Sequence, residues 1–236
     1  METPLKSVIF HETHNLVDVR IDRSHLTTIP DTIFVQESLE TLFITRSLLT
    51  TIDFDLFEKL PNLQFISFYS NKISVVHSTP GIACCGRWLS LDLQNNRLEK
   101  FDLGVFSFMS CLKTVSLRTN RLLTIENNVP SETPPGMRRS CQSYDYQASV
   151  SADRFSSLNT IDLENNRLRV VNLSMFHDMP HLTDLMLARN LLMNVIVHNG
   201  LLPKRLESID LSFNRMANAD FRPLLSVKVV NVGGNL

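Results

Sequence analysis

One pattern dominates the chain. Apolar residues stand at positions one, four and six of a unit, with a small polar residue at nine, and the unit recurs nine times at a spacing of about 24 residues. The first unit is Leu16, Val19, Ile21, Ser24, Leu26 and Ile29, and the second is Leu39, Leu42, Ile44, Ser47, Leu49 and Ile52. From the third unit onward asparagine takes the ninth slot, as Asn71, Asn96, Asn120, Asn166, Asn190, Asn214 and Asn235. Such a period marks a solenoid, because one unit cannot bury its apolar face alone and gains stability only by stacking on its neighbours. A helical reading fails, since a helix would not hold one apolar phase across these spacings with asparagine fixed at one slot.

Each residue type has a physical reason. Apolar residues at four and six lie two apart, so they point to the same face of a short strand and into the coil, while the residues between them face solvent. At nine the chain turns inward, and asparagine carries both a donor and an acceptor with which to satisfy backbone groups that the turn leaves unpaired. Serine does this less completely, so Ser24 and Ser47 predict a weaker ladder and greater mobility at the N-terminal end. Phe34, Phe57, Phe106 and Phe176 recur at position nineteen, with Leu60, Met109 and Met179 three residues after the last three of them; these are expected to stack along the convex side.

These units resemble the leucine-rich-repeat family, of the phenylalanine-containing class common in extracellular receptors, from Leu16 to Leu236. The resemblance implies an α/β repeat fold: a horseshoe-shaped solenoid with short parallel strands on the concave face and loops or 3-10 turns on the convex face. It also implies non-catalytic recognition of a protein. The opening Ser-Val-Ile-Phe, the serine-bearing first units and the irregular connections are similar to insect proteins, mosquito leucine-rich immune proteins in particular. Members of that group are secreted and carry a double cysteine and a coiled coil after the repeats. Neither is visible here, and the adjacent Cys84 and Cys85 sit inside the array, so that role is not carried over.

Residues 1–15 read as an N-terminal cap segment and 16–236 as the solenoid, interrupted by a long loop at 126–157. That stretch lacks apolar periodicity, which favours disorder; as a binding loop it would use Arg138, Arg139, Tyr144 and Tyr146, and a gene-model error is the third reading. The array stops within its ninth unit at Asn235-Leu236, without the polar cap that a solenoid end needs for solubility, so further repeats or a partner are expected to cover it. The start lacks the apolar core of a secretory signal, and as written the chain would stay in the cytosol. The repeat class and the resemblance favour an extracellular protein instead, which makes incomplete ends the expected reconciliation. Asn172-Leu173-Ser174 is a glycosylation sequon, weak support for secretion because a three-residue pattern arises often by chance.

Bulk properties exclude several classes. A net charge of −1 and a pI near 6.7 offer no broad attraction to nucleic acid or anionic lipid, and no stretch approaches the roughly 20 apolar residues of a membrane span. Cys84, Cys85, Cys111 and Cys141 lack zinc-site spacing and leave the redox compartment open. His11-Glu12-Thr13-His14 has its histidines three apart rather than four, with no helix expected, so an exposed cap segment is the reading. Val232-Gly233-Gly234-Asn235 lacks the lysine and helix of a phosphate loop, and no serine, histidine and acid converge. No enzyme activity, cofactor or metal is expected.

Binding is expected on the concave face, at positions three, five, seven and eight. Phe43, Arg46, Phe65 and Tyr69 place large groups there, as interface hot spots do, although aromatic side chains also shield neighbouring strands. Asp92, Asp162, Glu164, Asp184 and Asp210 make the same face acidic further along, which would suit a basic partner or be merely solvated. A basic row, Lys72, Arg97, Arg121, Arg167 and Arg215, follows the asparagines; with near-zero net charge it reads as a solvated edge held in salt bridges rather than a nucleic-acid groove. The leading function is extracellular protein recognition in innate immunity, and the alternative is an intracellular scaffold or regulatory adaptor.

Overall fold

Alternating burial sets the architecture. In Thr41–Thr45, Leu42 and Ile44 are buried while Thr41, Phe43 and Thr45 are partly open, and most of the other strands at this place in the coil alternate in the same way. The computed structural model describes residues 4–79, 87–129, 154–198, 200–217 and 220–235. Within them, nine short strands form one parallel sheet, in chain order: Asp18–Asp22, Thr41–Thr45, Phe65–Ser67, Ser90–Asp92, Thr114–Ser116, Thr160–Asp162, Asp184–Met186, Ser208–Asp210 and Val229–Asn231. Register is strict. Val19, Leu42, Ile66, Leu91, Val115, Ile161, Leu185, Ile209 and Val230 pair in sequence, so one apolar file runs the length of the sheet. This is the solenoid that the period predicted, with the parallel strands that the leucine-rich-repeat resemblance implied.

In coils two to seven a second strand precedes the convex segment, and these form three two-stranded parallel sheets: Thr51–Asp53 with Val75–His77, Lys100–Asp102 with Thr124–Glu126, and Val170–Asn172 with Asn194–Ile196. Short 3-10 helices follow three of them, at Phe54–Lys59, Leu103–Phe106 and Leu173–Phe176. Each starts because the preceding Asp53, Asp102 or Asn172 accepts the backbone N–H two residues on, satisfying a donor that has no partner within the helix. Gly104 is required in its turn: a Cβ there would come within 2.6 Å of the Asn128 carbonyl carbon in the next coil.

The phenylalanines fill the convex side of a single core. Phe34 and Phe57 meet edge to face at 5.4 Å, and Trp88 stands edge-on to both Phe54 and Phe57 at 5.3 and 5.4 Å. The loop expected at 126–157 falls mostly outside the described residues, as do Arg138, Arg139, Tyr144, Tyr146, Cys84, Cys85 and Cys141. On its two sides the coil is well defined. Asn127 donates to the Met175 carbonyl at 2.7 Å, and Phe155, 1% exposed, takes the core slot held elsewhere by Leu60, Met109 and Met179. Thr114–Ser116 pairs directly with Thr160–Asp162, so the intervening 43 residues interrupt the sequence and not the sheet.

The leading segment lies against the first coil. Buried Gln36 donates to the His11 and Thr32 carbonyls and accepts from the Thr13 N–H, while His11 and His14 stay exposed.

Candidate recognition surface

The buried asparagines hold the surface in shape. Asn166 donates from Nδ2 to the Leu117 carbonyl of the preceding coil and the Leu163 carbonyl of its own, each at 3.0 Å, and its Oδ1 accepts the Leu122 N–H. Asn71, Asn96, Asn120, Asn190 and Asn214 repeat this arrangement. Asn235 continues it with bonds to Leu211, Val232 and Met216. Ser47 is too short for this reach. Its hydroxyl meets Ser24 Oγ at 2.7 Å and accepts the Ser24 N–H, and the Leu26 N–H turns to Ser24 in its own coil at a long 3.3 Å.

At position eight the backbone enters the left-handed region in every coil. Arg23, Arg46, Ser70, Asn95, Thr119, Asn165, Arg189, Phe213 and Gly234 have φ between 48° and 70°. The conformation costs a non-glycine residue free energy, and the inward turn it produces sets these side chains along the rim of the concave face. Position five feeds that turn. Asp92, Asp162 and Asp210 each accept, through Oδ1, the N–H two residues on, at 2.8 to 2.9 Å. Asp92 and Asp162 also accept from the hydroxyls of Ser67 and Ser116 on the neighbouring strand. These three acids therefore shape the sheet as well as charge it. Asp184, at position three, accepts the Thr183 hydroxyl.

The predicted aromatic patch divides. Phe43 lies beneath the Arg20 guanidinium, 5.0 Å from the ring centroid, and Arg46 pairs with Asp22 at 3.4 Å. Arg20 donates from Nε and Nη2 to the Asp18 carboxylate, which raises the arginine's pKa and orients the guanidinium over the ring. With Ile21 and Thr45 these groups line a shallow depression of about 270 Å³. Phe65 stands outside that depression, 43% exposed, and Tyr69 is half-buried.

A second cluster lies at the far end, where Glu164 accepts from Arg118 and sits 3.4 Å from Arg189. Arg189 in turn covers the Phe213 ring at 4.6 Å. Phe213 is 53% exposed, and its underside rests on Gly234, where a Cβ would come within 2.6 Å of the ring. The sequence reading named Glu164 alone from this group. Its signal was the alignment of position seven or eight across four coils, Arg118, Glu164, Arg189 and Phe213.

Asn172, the sequon asparagine, is half-buried as a helix cap, and Ser174 is buried with its hydroxyl bonded to the His198 backbone. Cys111 is buried and disulfide-bonded, its partner lying outside the described residues. Among the described residues there is no group of three or more potential metal ligands, and no helix is long and apolar enough to cross a membrane.

A nine-stranded parallel sheet with a buried asparagine file and an open concave face defines a leucine-rich-repeat protein. The leucine rich repeat model matches residues 14–77 and 156–216, just over half of the chain, and the chain belongs to that family. A leucine-rich repeat-containing G-protein coupled receptor 5 from Rattus norvegicus is 25% identical over 111 residues, 47% of this chain and 12% of the receptor. Among solved structures, YopM, a leucine-rich effector protein from Yersinia pestis, superposes with a TM-score of 0.59 at 21% identity, over 93% of this chain and 49% of its own. The Toll–Spatzle complex of Drosophila gives 0.62 at 20% identity, over 94% of this chain and 27% of the other. The chain thus spans less than half the length of each, and the structural likenesses carry the fold.

Proposed function

We propose that this chain is a non-catalytic recognition module that binds a protein partner through its concave face, outside the cell. Leucine-rich-repeat proteins mediate protein–protein recognition, and the fold is typically a binding scaffold. The observation that carries the reading is the concave sheet itself. A buried polar ladder supports exposed columns whose two ends hold arginine-on-phenylalanine pairs, Arg20 with Phe43 and Arg189 with Phe213. Aromatic and arginine side chains held in place this way lose little freedom on binding, which is why they recur among interface hot spots.

The disulfide at Cys111 supports an oxidising compartment, since such bonds are rare in the cytosol. Toll, a structural neighbour described as part of a hub in development and innate immunity, supports an immune role of the kind that the insect resemblance implies. An intracellular scaffold is the second reading, favoured by the YopM likeness.

Capture with the immobilised chain from secreted fluid and from cell lysate separates the two. A partner retained from secreted fluid, and lost with Phe43→Ala/Phe65→Ala at unchanged circular dichroism, supports the leading reading. Retention by the double variant rejects this patch, and specific capture from lysate alone rejects the extracellular assignment.

A further inference from the structure

The ion pairs of this protein are unevenly placed. On the concave face, cations are matched: Arg20 with Asp18, Arg46 with Asp22, and Arg118 and Arg189 with Glu164. On the flank that follows the asparagines they are not. Arg97, Arg121, Arg167 and Arg215 occupy position ten of their coils, with Lys100 and Arg169 two or three residues further along the same flank. All six are exposed, and among the described residues none forms an ion pair. Glu99 is the one acid at positions ten to thirteen of these coils. The salt-bridged edge that the sequence suggested for Lys72 and these arginines is therefore corrected: among the described residues none of them has an ion-pair partner, in a chain whose total charge is −1.

The row follows one slot of the ladder from the fourth coil to the eighth, with Leu191 in place of a cation in the seventh. Backbone bonds tie each position-ten residue to the coil before it, as Arg97 to Ile73, Arg121 to Leu98, Arg167 to Leu122 and Arg215 to Leu192. With strands about 4.8 Å apart, Arg97 to Arg215 spans roughly 20 Å. The insertion before the sixth coil does not interrupt this row, because Arg167 stacks directly on the fifth coil.

We propose that this ridge is a binding site for a linear sulfated polysaccharide. Guanidinium groups present a planar fork that matches the oxygens of a sulfate or phosphate, and a file of them favours a chain carrying repeated oxyanions over a single ion. Nucleic acid is disfavoured by what is missing between the cations. Positions ten, twelve and thirteen of these coils hold no aromatic side chain on which a base could stack. The site is separate from the concave face and serves as an attachment to an extended carbohydrate, leaving that face open to its protein partner.

Affinity chromatography of the full chain on immobilised heparin tests this, with a sulfonate cation exchanger of equal charge density as reference. The chain should elute from heparin at higher salt than from the exchanger. Arg97→Gln/Arg121→Gln/Arg167→Gln/Arg215→Gln should lower heparin affinity about ten- to hundred-fold, since each exposed pair contributes a few-fold. Lys59→Gln/Lys113→Gln/Arg205→Gln/Lys228→Gln, which removes as many cations elsewhere, should change it less than three-fold, and Phe43→Ala/Phe65→Ala should leave it unchanged. Equal loss in both quadruple variants, undiminished binding to de-sulfated heparin, or tighter binding to single-stranded RNA or to polyglutamate overturns the proposal. Unchanged protein capture by Phe43→Ala/Phe65→Ala, with heparin binding still lost on removing the four arginines, would overturn the concave-face patch alone.

Discussion

The joint between the first two coils and the joints that follow are built on the same backbone around different buried side chains. In the later coils an asparagine ties two carbonyls and an N–H together across the joint, as Asn120 does with Leu93, Leu117 and Leu98. Between the first two coils, Ser24 and Ser47 bond mainly to each other, and among the described residues no side-chain amide reaches the Ile21 carbonyl. The strands above are equally well registered in both regions. Sheet formation is thus decided by the apolar file, and the stiffness beneath it by the polar slot. Arg20, Phe43 and Arg46 stand on the serine joint, whereas the Glu164, Arg189 and Phe213 cluster stands on asparagine joints. The two ends of the concave face thus rest on different buried side chains, and the serine end is expected to be the more yielding.

Breaking an asparagine joint should have the largest effect. Asn166→Ala removes three buried hydrogen bonds and leaves the Leu117 and Leu163 carbonyls and the Leu122 N–H without it. At roughly 1 kcal/mol per bond plus the penalty for buried groups left unpaired, a loss of about 3–5 kcal/mol is expected in urea unfolding. Ser47→Ala should cost less, about 1–2 kcal/mol, because fewer groups depend on it. A Ser47 substitution as damaging as that at Asn166 would erase the distinction between the joints.

Charge on the firm end offers a finer test. Asp162→Asn retains the Oδ1 that accepts the Glu164 N–H while removing the carboxylate, so stability should move by no more than about 0.5 kcal/mol. Asp162→Ala removes the acceptor as well and should cost about 1 kcal/mol. A double-mutant cycle of Glu164→Gln with Arg189→Ala should give a coupling of a few tenths of a kcal/mol, because the arginine is largely exposed. It should shrink at high salt.

The fold was legible because buried positions are under narrow constraint: the spacing of Leu, Val, Ile and Asn named the sheet, its register and the interior ladder. The surface was less so, because what decides it is conformation and pairing rather than residue type. Nothing in Arg46 or Phe213 announces a left-handed backbone; only Asn95, Asn165 and Gly234, which tolerate it well, hint at one. The acids at position five read as binding charge, and three of them proved also to be backbone acceptors. Arginines read as salt-bridged at position ten form no ion pair among the described residues, and some acids nearby are held by the backbone instead. Asp102, for example, accepts from the backbone N–H groups of Gly104 and Asn128. Buried Gln36, which pins the leading segment, follows no periodic slot and gave no signal at all.

Hydrogen exchange at the position-eleven amides tests the central distinction most directly. Those of Leu98, Leu122, Leu168 and Leu192 donate to an asparagine Oδ1 in the next coil, and that of Leu26 donates at 3.3 Å to a serine in its own. The account predicts that Leu26 exchanges at least about ten-fold faster than these four under native conditions, and that Ser47→Ala speeds Leu26 while leaving Leu168 unchanged. Equal protection of Leu26 and Leu168 would contradict it.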